Sequence, residues 1–100
     1  MDIKFEYHEI TASERLEAFT TEKLNHMYKK YDFLIRADVF FKQENTSSEE
    51  TGKICGIRVS LPGPRLFAES SNDNFESSVS EAIRELDVQL RKKKDKMKAY

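Results

Sequence analysis

The C-terminal part of the chain carries the pattern that most limits what it can fold into. Six apolar residues recur there at the spacing of one helix face: Phe75, Val79, Ile83, Leu86, Leu90 and Met97. No Gly or Pro interrupts this stretch, and Ser71, Asn72 and Asp73 before it are all favourable N-cap residues. The pattern predicts a long amphipathic helix that runs to about residue 97 and turns its apolar stripe toward a core.

A strand and a first helix are predicted at the other end of the chain. Residues 2–8 alternate polar and apolar side chains, which is typical of a strand with one buried face. The apolar residues that follow fall on one helical stripe: Leu16, Phe19, Leu24, Met27 and Tyr31. This helix is predicted over about residues 13–30, and either Ser13 or a Thr11–Glu14 capping box starts it.

Three more strands are predicted in the middle of the chain, over residues 35–43, 54–61 and 65–70. One face of the first of these is expected to be buried: Ile35, Ala37, Val39 and Phe41. Phe40 is then exposed on the opposite face, for which burial gives no reason. The polar stretch 44–53 is predicted to be a mobile loop, and Pro62-Gly63-Pro64 is predicted to be a turn.

The predicted order is β-α-β-β-β-α over a single domain of residues 1–100, with no repeat and no linker. We therefore expect an α+β fold in which two helices pack on one face of a four-stranded sheet. This order is close to that of double-stranded RNA-binding domains, which recognise the shape and phosphates of A-form RNA.

Charge is distributed unevenly along the chain. Residues 91–100 carry six basic residues and one acid, a net charge of +5, whereas residues 1–90 have a net charge of −6. A slightly acidic chain, net −1 at pH 7, is a poor match to general nucleic-acid binding. A local patch can still bind a polyanion, because charges are screened over only about 8–10 Å at physiological salt.

Helical phasing gathers part of this positive charge on one flank of the second helix. Arg84, Arg91 and Lys98 are seven residues apart and form a row beside the apolar stripe, with Lys94 next to them. Such a row holds several cations on a common surface, which phosphate neutralisation needs. Alternatively, these residues only complement the helix dipole and keep the surface soluble. The sequence leaves both interpretations open.

The first helix carries three basic residues for which structural roles are the usual ones. Lys23 lies at the edge of the apolar stripe, where the stem of a lysine usually covers core. Lys29 and Lys30 lie at the C-terminal end, where positive charge complements the dipole.

The sequence contains no catalytic, metal-binding or cofactor-binding constellation. His8 and His26 have no partner at the spacing of metal ligands, and the three Gly form no phosphate-binding loop. Cys55 alternates with apolar residues and is expected to be a buried structural thiol. We therefore expect neither an enzyme nor a small-molecule substrate, and no cofactor or metal.

Targeting and membrane signals are also missing. No apolar run approaches the length of a membrane span, and the N-terminus lacks the features of a signal peptide. A single cysteine cannot make an internal disulfide. We expect a soluble cytoplasmic protein without membrane contact.

Several stretches together resemble one family. They are Ser13-x-x-Leu16-x-x-Phe19, then Phe19-x-x-x-Lys23-Leu24-x-x-Met27-x-x-x-Tyr31-Asp32, Val39-x-x-Lys42-x-Glu44, and Leu86-x-x-Gln89-Leu90-x-Lys92-x-Lys94-Asp95-Lys96-x-Lys98. In their order and spacing they are similar to the ribosome hibernation promoting factor family, also called ribosome-associated inhibitor or sigma-54 modulation protein. The similarity covers nearly the whole chain and favours Ser13 as the cap of the first helix.

The resemblance implies a non-enzymatic protein that silences translation in stationary phase or under stress. Members bind the small ribosomal subunit in the channel between head and body and overlap the mRNA path and the tRNA A and P sites. Basic residues of both helices meet the rRNA phosphates, and by position these are Lys23, Lys92, Lys94, Lys96 and Lys98. The full set of candidate rRNA contacts is Lys23, Lys29, Lys30, Arg84, Arg91, Lys92, Lys94, Lys96 and Lys98.

The chain departs from the family pattern at Glu85 and Val88, where members often have basic residues. We expect Arg84 and Arg91 to compensate. Long members add a second domain that dimerises ribosomes, whereas this chain resembles the short form and is expected to be a monomer.

Two other functions fit the same residues. The basic patch also suits a domain that binds structured RNA in general. A protein-interaction module would instead use the acidic strands, Phe40, Phe67 and loop 44–53, and its function would survive neutralisation of the basic patch.

Overall fold

A computed structural model describes residues 1–45 and 47–98, apart from the side chains of Met97 and Lys98. Its elements are β1 (Asp2–His8), α1 (Glu14–Lys30), β2 (Arg36–Gln43), β3 (Lys53–Ser60), β4 (Arg65–Asn72) and α2 (Phe75–Lys98). The order is β-α-β-β-β-α, so the predicted α+β class is confirmed. No helix among the described residues has the length and apolar character that crossing a membrane requires.

The four strands form one mixed sheet in the order β1-β2-β3-β4. β1 runs parallel to β2, and the other two pairs are antiparallel. Parallel neighbours need a crossover connection, and α1 provides it between β1 and β2. β2, β3 and β4 follow one another along the chain, through residues 44–52 and 61–64.

The core lies between the helices and one face of the sheet. Leu24 of α1 and Leu86 of α2 are completely buried in the same cluster as Phe41 and Ile57 of the two central strands. Both helices therefore cover the same face, as predicted. The residues on the opposite face of β1 are exposed, in keeping with its alternating sequence.

The start of α1 resolves the choice between two caps. Ser13 is the N-cap, and its Oγ accepts a hydrogen bond from the backbone N–H of Leu16 at 3.2 Å. Thr20 is buried within the helix, where its hydroxyl donates to the carbonyl of Leu16. A buried threonine is tolerated there because its own helix satisfies its polar group.

The start of α2 differs from the prediction. Asn74 is the cap, because its Oδ1 accepts a hydrogen bond from the N–H of Ser77 at 2.8 Å. Ser71 and Asn72 instead belong to β4, which continues to Asn72 and is longer than predicted, and Asp73 follows it. Ser71 and Asn72 pair with the start of β3, so they do not cap α2 as their residue types alone suggest.

Two side chains near β2 also differ from expectation. Ile35 precedes the strand and is 56% exposed, so its predicted place on the buried face is wrong. Phe40 is only partly exposed, because its ring lies directly over Gly56 of the neighbouring strand. The missing side chain at residue 56 is the reason that Phe40 can lie on the outer face, which the pattern of β2 alone does not reveal.

Candidate nucleic-acid interface

A groove of about 560 Å³ separates the two helices on the side away from the sheet, and we call it the helix groove. Its lining comes from both helices: Phe19, Glu22, Lys23, His26, Met27 and Lys30 of α1, and Ser80, Ile83, Arg84 and Asp87 of α2. Apolar and charged side chains therefore lie next to each other on this surface.

The α1 side of the helix groove presents two lysines. The Nζ of Lys23 lies 5.3 Å from the centre of the Phe19 ring, so its stem runs along the apolar edge and its charge reaches solvent. About two turns further on, the Nζ of Lys30 lies 5.4 Å from the centre of the Tyr31 ring. Aromatic faces hold both ammonium groups in place without neutralising them.

Asp87 on α2 connects the two sides of the helix groove. Its Oδ1 accepts a hydrogen bond from the Nζ of Lys30 at 2.5 Å, and its Oδ2 accepts one from Arg91 at 3.1 Å. Partial burial alone would raise the pKa of Asp87, but the hydrogen bond and charge of Lys30 and the charge of Arg91 outweigh it. The net effect holds the pKa of this carboxyl below its usual range, so Asp87 is ionised at neutral pH.

Lys94 fastens the end of α2 to the end of α1. Its Nζ donates a hydrogen bond to the backbone carbonyl of Lys30 at 3.2 Å and lies 5.7 Å from the centre of the Tyr31 ring. Carbonyl groups in the last turn of a helix lack intrahelical partners and carry partial negative charge. Lys94 therefore has a structural contact and remains partly exposed.

The structure brings together five of the nine basic candidates. Lys23, Lys30 and Arg84 line the helix groove, Arg91 joins them through Asp87, and Lys94 joins them at Lys30. They are opposed by two carboxylates of the groove, those of Glu22 and Asp87. A surplus of cations from two separate elements converges on one surface, which the sequence alone does not show.

The remaining candidates lie elsewhere. Lys29 lines a separate shallow depression on the outer face of α1, away from α2. Lys92 and Lys96 are exposed and, by helical phase, share the other flank of α2 with Glu81 and Glu85. The side chain of Lys98 is outside the described part of the chain.

Asp87 is the residue of the helix groove that sequence reasoning missed. Its spacing to Arg91 is that of an i, i+4 ion pair, and this signal is present in the sequence. Its contact with Lys30 spans 57 residues and depends on the packing of the two helices. No local pattern reports such a contact.

Two further kinds of site, a metal site and a reactive thiol, were compared with the described residues. They contain no group of three or more His, Cys, Asp and Glu side chains placed to hold a metal ion. Burial raises the pKa of Cys55 to about 12, and the thiol lies inside the core. It is thus a structural residue, as expected.

The fold and the helix groove together define a small α+β domain with a cationic surface formed by its two helices. Residues 3–98 match the family model described as sigma 54 modulation protein / S30EA ribosomal protein, and the chain belongs to this ribosome-associated family. The resemblance seen in the sequence is confirmed.

Solved structures share the fold. A ribosomal subunit interface protein from Coxiella burnetii superposes with a TM-score of 0.82 at 24% identity, over 95% of this chain and 99% of that one. The N-terminal domain of Thermus thermophilus Protein Y gives a TM-score of 0.77 at 18% identity, over 92% and 98% of the respective chains. A search of curated proteins finds no match.

Proposed function

We propose that this protein binds the small ribosomal subunit through the helix groove and keeps idle ribosomes inactive. Docked in the channel between head and body, its bulk blocks the mRNA path and the tRNA A and P sites. Family membership supports the ribosome as the target. The helix groove supports rRNA as the surface that is bound.

The observation that carries the proposal is the convergence of five basic side chains from two helices on one surface: Lys23, Lys30, Arg84, Arg91 and Lys94. Each cation that neutralises a phosphate releases counterions, and this release is the main driving force for binding to an RNA backbone. Because rigid helices hold the cations, little conformational entropy is lost when RNA binds. The apolar part of the groove adds contact surface for the sugar-phosphate edge.

Acidic residues oppose the binding of RNA to much of the remaining surface. Residues 1–90 have a net charge of −6, so most of the protein repels RNA. A groove in which cations outnumber carboxylates, on an acidic body, favours one orientation in which the protein docks. We propose that this prevents the protein from coating RNA indiscriminately.

The proposed mechanism is steric and needs no chemistry. The protein acts as a monomer on the ribosome in the cytoplasm, and its accumulation under stress or in stationary phase would preserve ribosomes that are not translating. It requires no cofactor and no small-molecule ligand.

Co-sedimentation with purified small ribosomal subunits at low salt tests the proposal. The variant Arg84→Gln/Arg91→Gln removes two cations from the helix groove, and Lys4→Gln/Arg15→Gln removes two exposed cations outside it. Each phosphate contact supplies roughly 5- to 10-fold in affinity at 0.1 M salt, so the groove variant should bind about 25- to 100-fold more weakly. The control variant should bind nearly as the wild type does.

Three outcomes of that experiment would contradict the proposal. Failure of the wild-type protein to co-sediment refutes it outright. An equal loss in both double variants would mean that only net charge matters. Equal affinity for free duplex RNA and for ribosomes would identify a general structured-RNA-binding domain instead.

A further inference from the structure

The sheet face opposite the helices carries a cluster of rings that the helix groove does not use. We call His8, Phe40 and Phe67, which lie side by side on this face, the aromatic platform. The rings of Phe40 and Phe67 are nearly parallel, with 15° between planes and 6.1 Å between centres, and His8 meets Phe40 edge-on at 5.9 Å. At 6.1 Å the two phenyl rings are offset, so each keeps part of a face uncovered.

Gly56 makes this arrangement possible. Phe40 and Phe67 belong to β2 and β4, and β3 runs between them. A Cβ added at Gly56 would lie 2.2 Å from two ring carbons of Phe40, so the ring occupies the space of the absent side chain. The rings of two strands that are not neighbours can thus meet across the strand between them. With His8 of β1, the aromatic platform extends across all four strands of the sheet.

Two arginines beside the platform have no anionic partner. Arg58 lies directly across from Phe67 in the β3–β4 register, and Arg65 lies two residues before Phe67 on the same face. Both are exposed, and among the described residues neither guanidinium group makes a hydrogen bond or ion pair, although Asp38 lies across from Arg58 in the β2–β3 register. Arg36 nearby is different, because Nε and one terminal nitrogen both donate to Asp38, at 3.0 and 2.8 Å.

The surrounding charge is asymmetric. Glu69 lies beyond Phe67 on β4, on the opposite side from Arg65, and Glu6 is 3.6 Å from His8. Lys42 is shared between the Phe40 ring at 5.8 Å and a carboxylate of the following loop. The positive charge without a partner is on the Arg58–Arg65 side of the rings, where a cavity of about 350 Å³ opens that the carboxylates of Glu6 and Asp38 also line.

We propose that the aromatic platform binds a short single-stranded RNA segment, with a base stacked on Phe67 and adjoining phosphates at Arg58 and Arg65. Unstacked bases pair well with an aromatic ring, and guanidinium groups bind the backbone and can stack on bases as well. Phe67 is 45% exposed, as a stacking ring must be before its ligand arrives. This surface goes beyond the proposed function, which uses the other side of the molecule.

The chemistry of the platform favours RNA over a protein partner. A stable protein interface has an apolar centre in which charged residues are depleted. Here two guanidinium groups without partners flank the exposed ring, and a protein partner would have to supply carboxylates for both, because burying them unpaired is costly. A nucleotide uses the ring and the cations together.

A titration with fluorescently labelled oligouridylate of about six nucleotides, which has no stable structure of its own, tests this site at low salt. Amide chemical shifts of the labelled protein report where it binds. Amides of β2, β3 and β4 should shift, and two phosphate contacts should give a slope of log affinity against log salt of about −1.4. Phe67→Ala should weaken binding roughly 10- to 100-fold, as expected for the loss of one stacked base.

Three further variants separate the contributions. Phe67→Leu keeps an apolar side chain without the ring and should bind as weakly as Phe67→Ala. Gly56→Ala should displace the Phe40 ring and weaken binding without any change of charge. Arg58→Gln/Arg65→Gln should weaken it and flatten the salt slope. The groove variant Arg84→Gln/Arg91→Gln should keep its oligouridylate binding, whatever happens to its ribosome binding.

The proposal is overturned if oligouridylate does not bind, or if only amides of the helix groove shift. It is also overturned if Phe67→Ala binds as the wild type does, or if inorganic polyphosphate of matched charge competes as well as the oligonucleotide. A protein partner that loses binding in Phe67→Ala while oligouridylate has no effect would assign the surface to protein docking. Ribosome co-sedimentation of Phe67→Ala is a separate readout, so the two proposals can fail independently.

Discussion

Asp87→Asn removes the carboxylate that competes with RNA for Lys30 and Arg91. Asparagine has nearly the same shape, so the packing of the two helices is preserved while both cations become available. Each additional phosphate contact changes the slope of log affinity against log salt by about 0.7–0.9. In the wild type each cation is shared between Asp87 and RNA, so we expect the slope for ribosome binding to steepen by about 0.7–0.9 in total, with an affinity roughly 5- to 8-fold higher at 0.1 M salt.

The same substitution should lower stability only slightly. Lys30 and Arg91 are 53% and 68% exposed in their side chains, so solvent and salt screen both pairs with Asp87. Exposed ion pairs contribute about 0.2–1 kcal/mol each, and the loss should stay below about 2 kcal/mol in urea unfolding. Glu85→Gln is the matched control, because it makes the same change of charge on the other flank of α2.

Binding measured between 0.05 and 0.5 M KCl decides the matter. An affinity for small subunits that falls in Asp87→Asn, or a salt slope that does not change, would show that Asp87 positions the two cations and does not compete with RNA. A gain of the same size in Glu85→Gln would show that the effect comes from net charge alone.

The remaining predictions concern pH, caps, reactivity and location. Because the pKa of Asp87 is lowered in the folded state, the ionised carboxylate stabilises the protein above its unfolded pKa of about 3.9. This stabilisation disappears as pH falls through the folded-state pKa. The free energies of unfolding of the wild type and Asp87→Asn, measured in urea, should therefore converge as pH falls below about 4. Asn74→Ala should cost about 1 kcal/mol of unfolding free energy, since it removes the cap of α2. Cys55 should not react with a thiol reagent at pH 8 in the native protein and should react in urea, because its pKa is raised to about 12. Lys23→Gln should weaken subunit binding about 5- to 10-fold and Lys29→Gln less, since only Lys23 lines the helix groove; equal losses would contradict this placement.

Local sequence patterns were sufficient to predict the helices and strands of the fold. The strand Asp2–His8 follows from strict alternation, and both helices follow from apolar residues at helical spacing. Ile35 continues the alternation of β2 but precedes the strand, so periodicity placed it on the wrong side of a boundary. Such errors arise because a pattern reports which residues can be buried and not where pairing ends.

These local patterns could not predict contacts between distant segments of the chain. The meeting of Phe40 with Phe67 requires the strand order and the register that brings Gly56 beneath the ring. The bond between Lys30 and Asp87 requires the packing of two helices. Helical phase correctly placed Arg84 and Arg91 beside the apolar stripe, but only tertiary structure shows that α1 lies on that same side.

A cryo-electron-microscopy map of the protein mixed with small ribosomal subunits tests the central claim most directly. We predict density in the channel between head and body, with Lys23, Lys30, Arg84 and Arg91 within contact distance of rRNA phosphates. Density that occupies the A and P sites would establish how translation is blocked. Density outside the channel, or a pose in which the helix groove faces away from rRNA, would contradict the account.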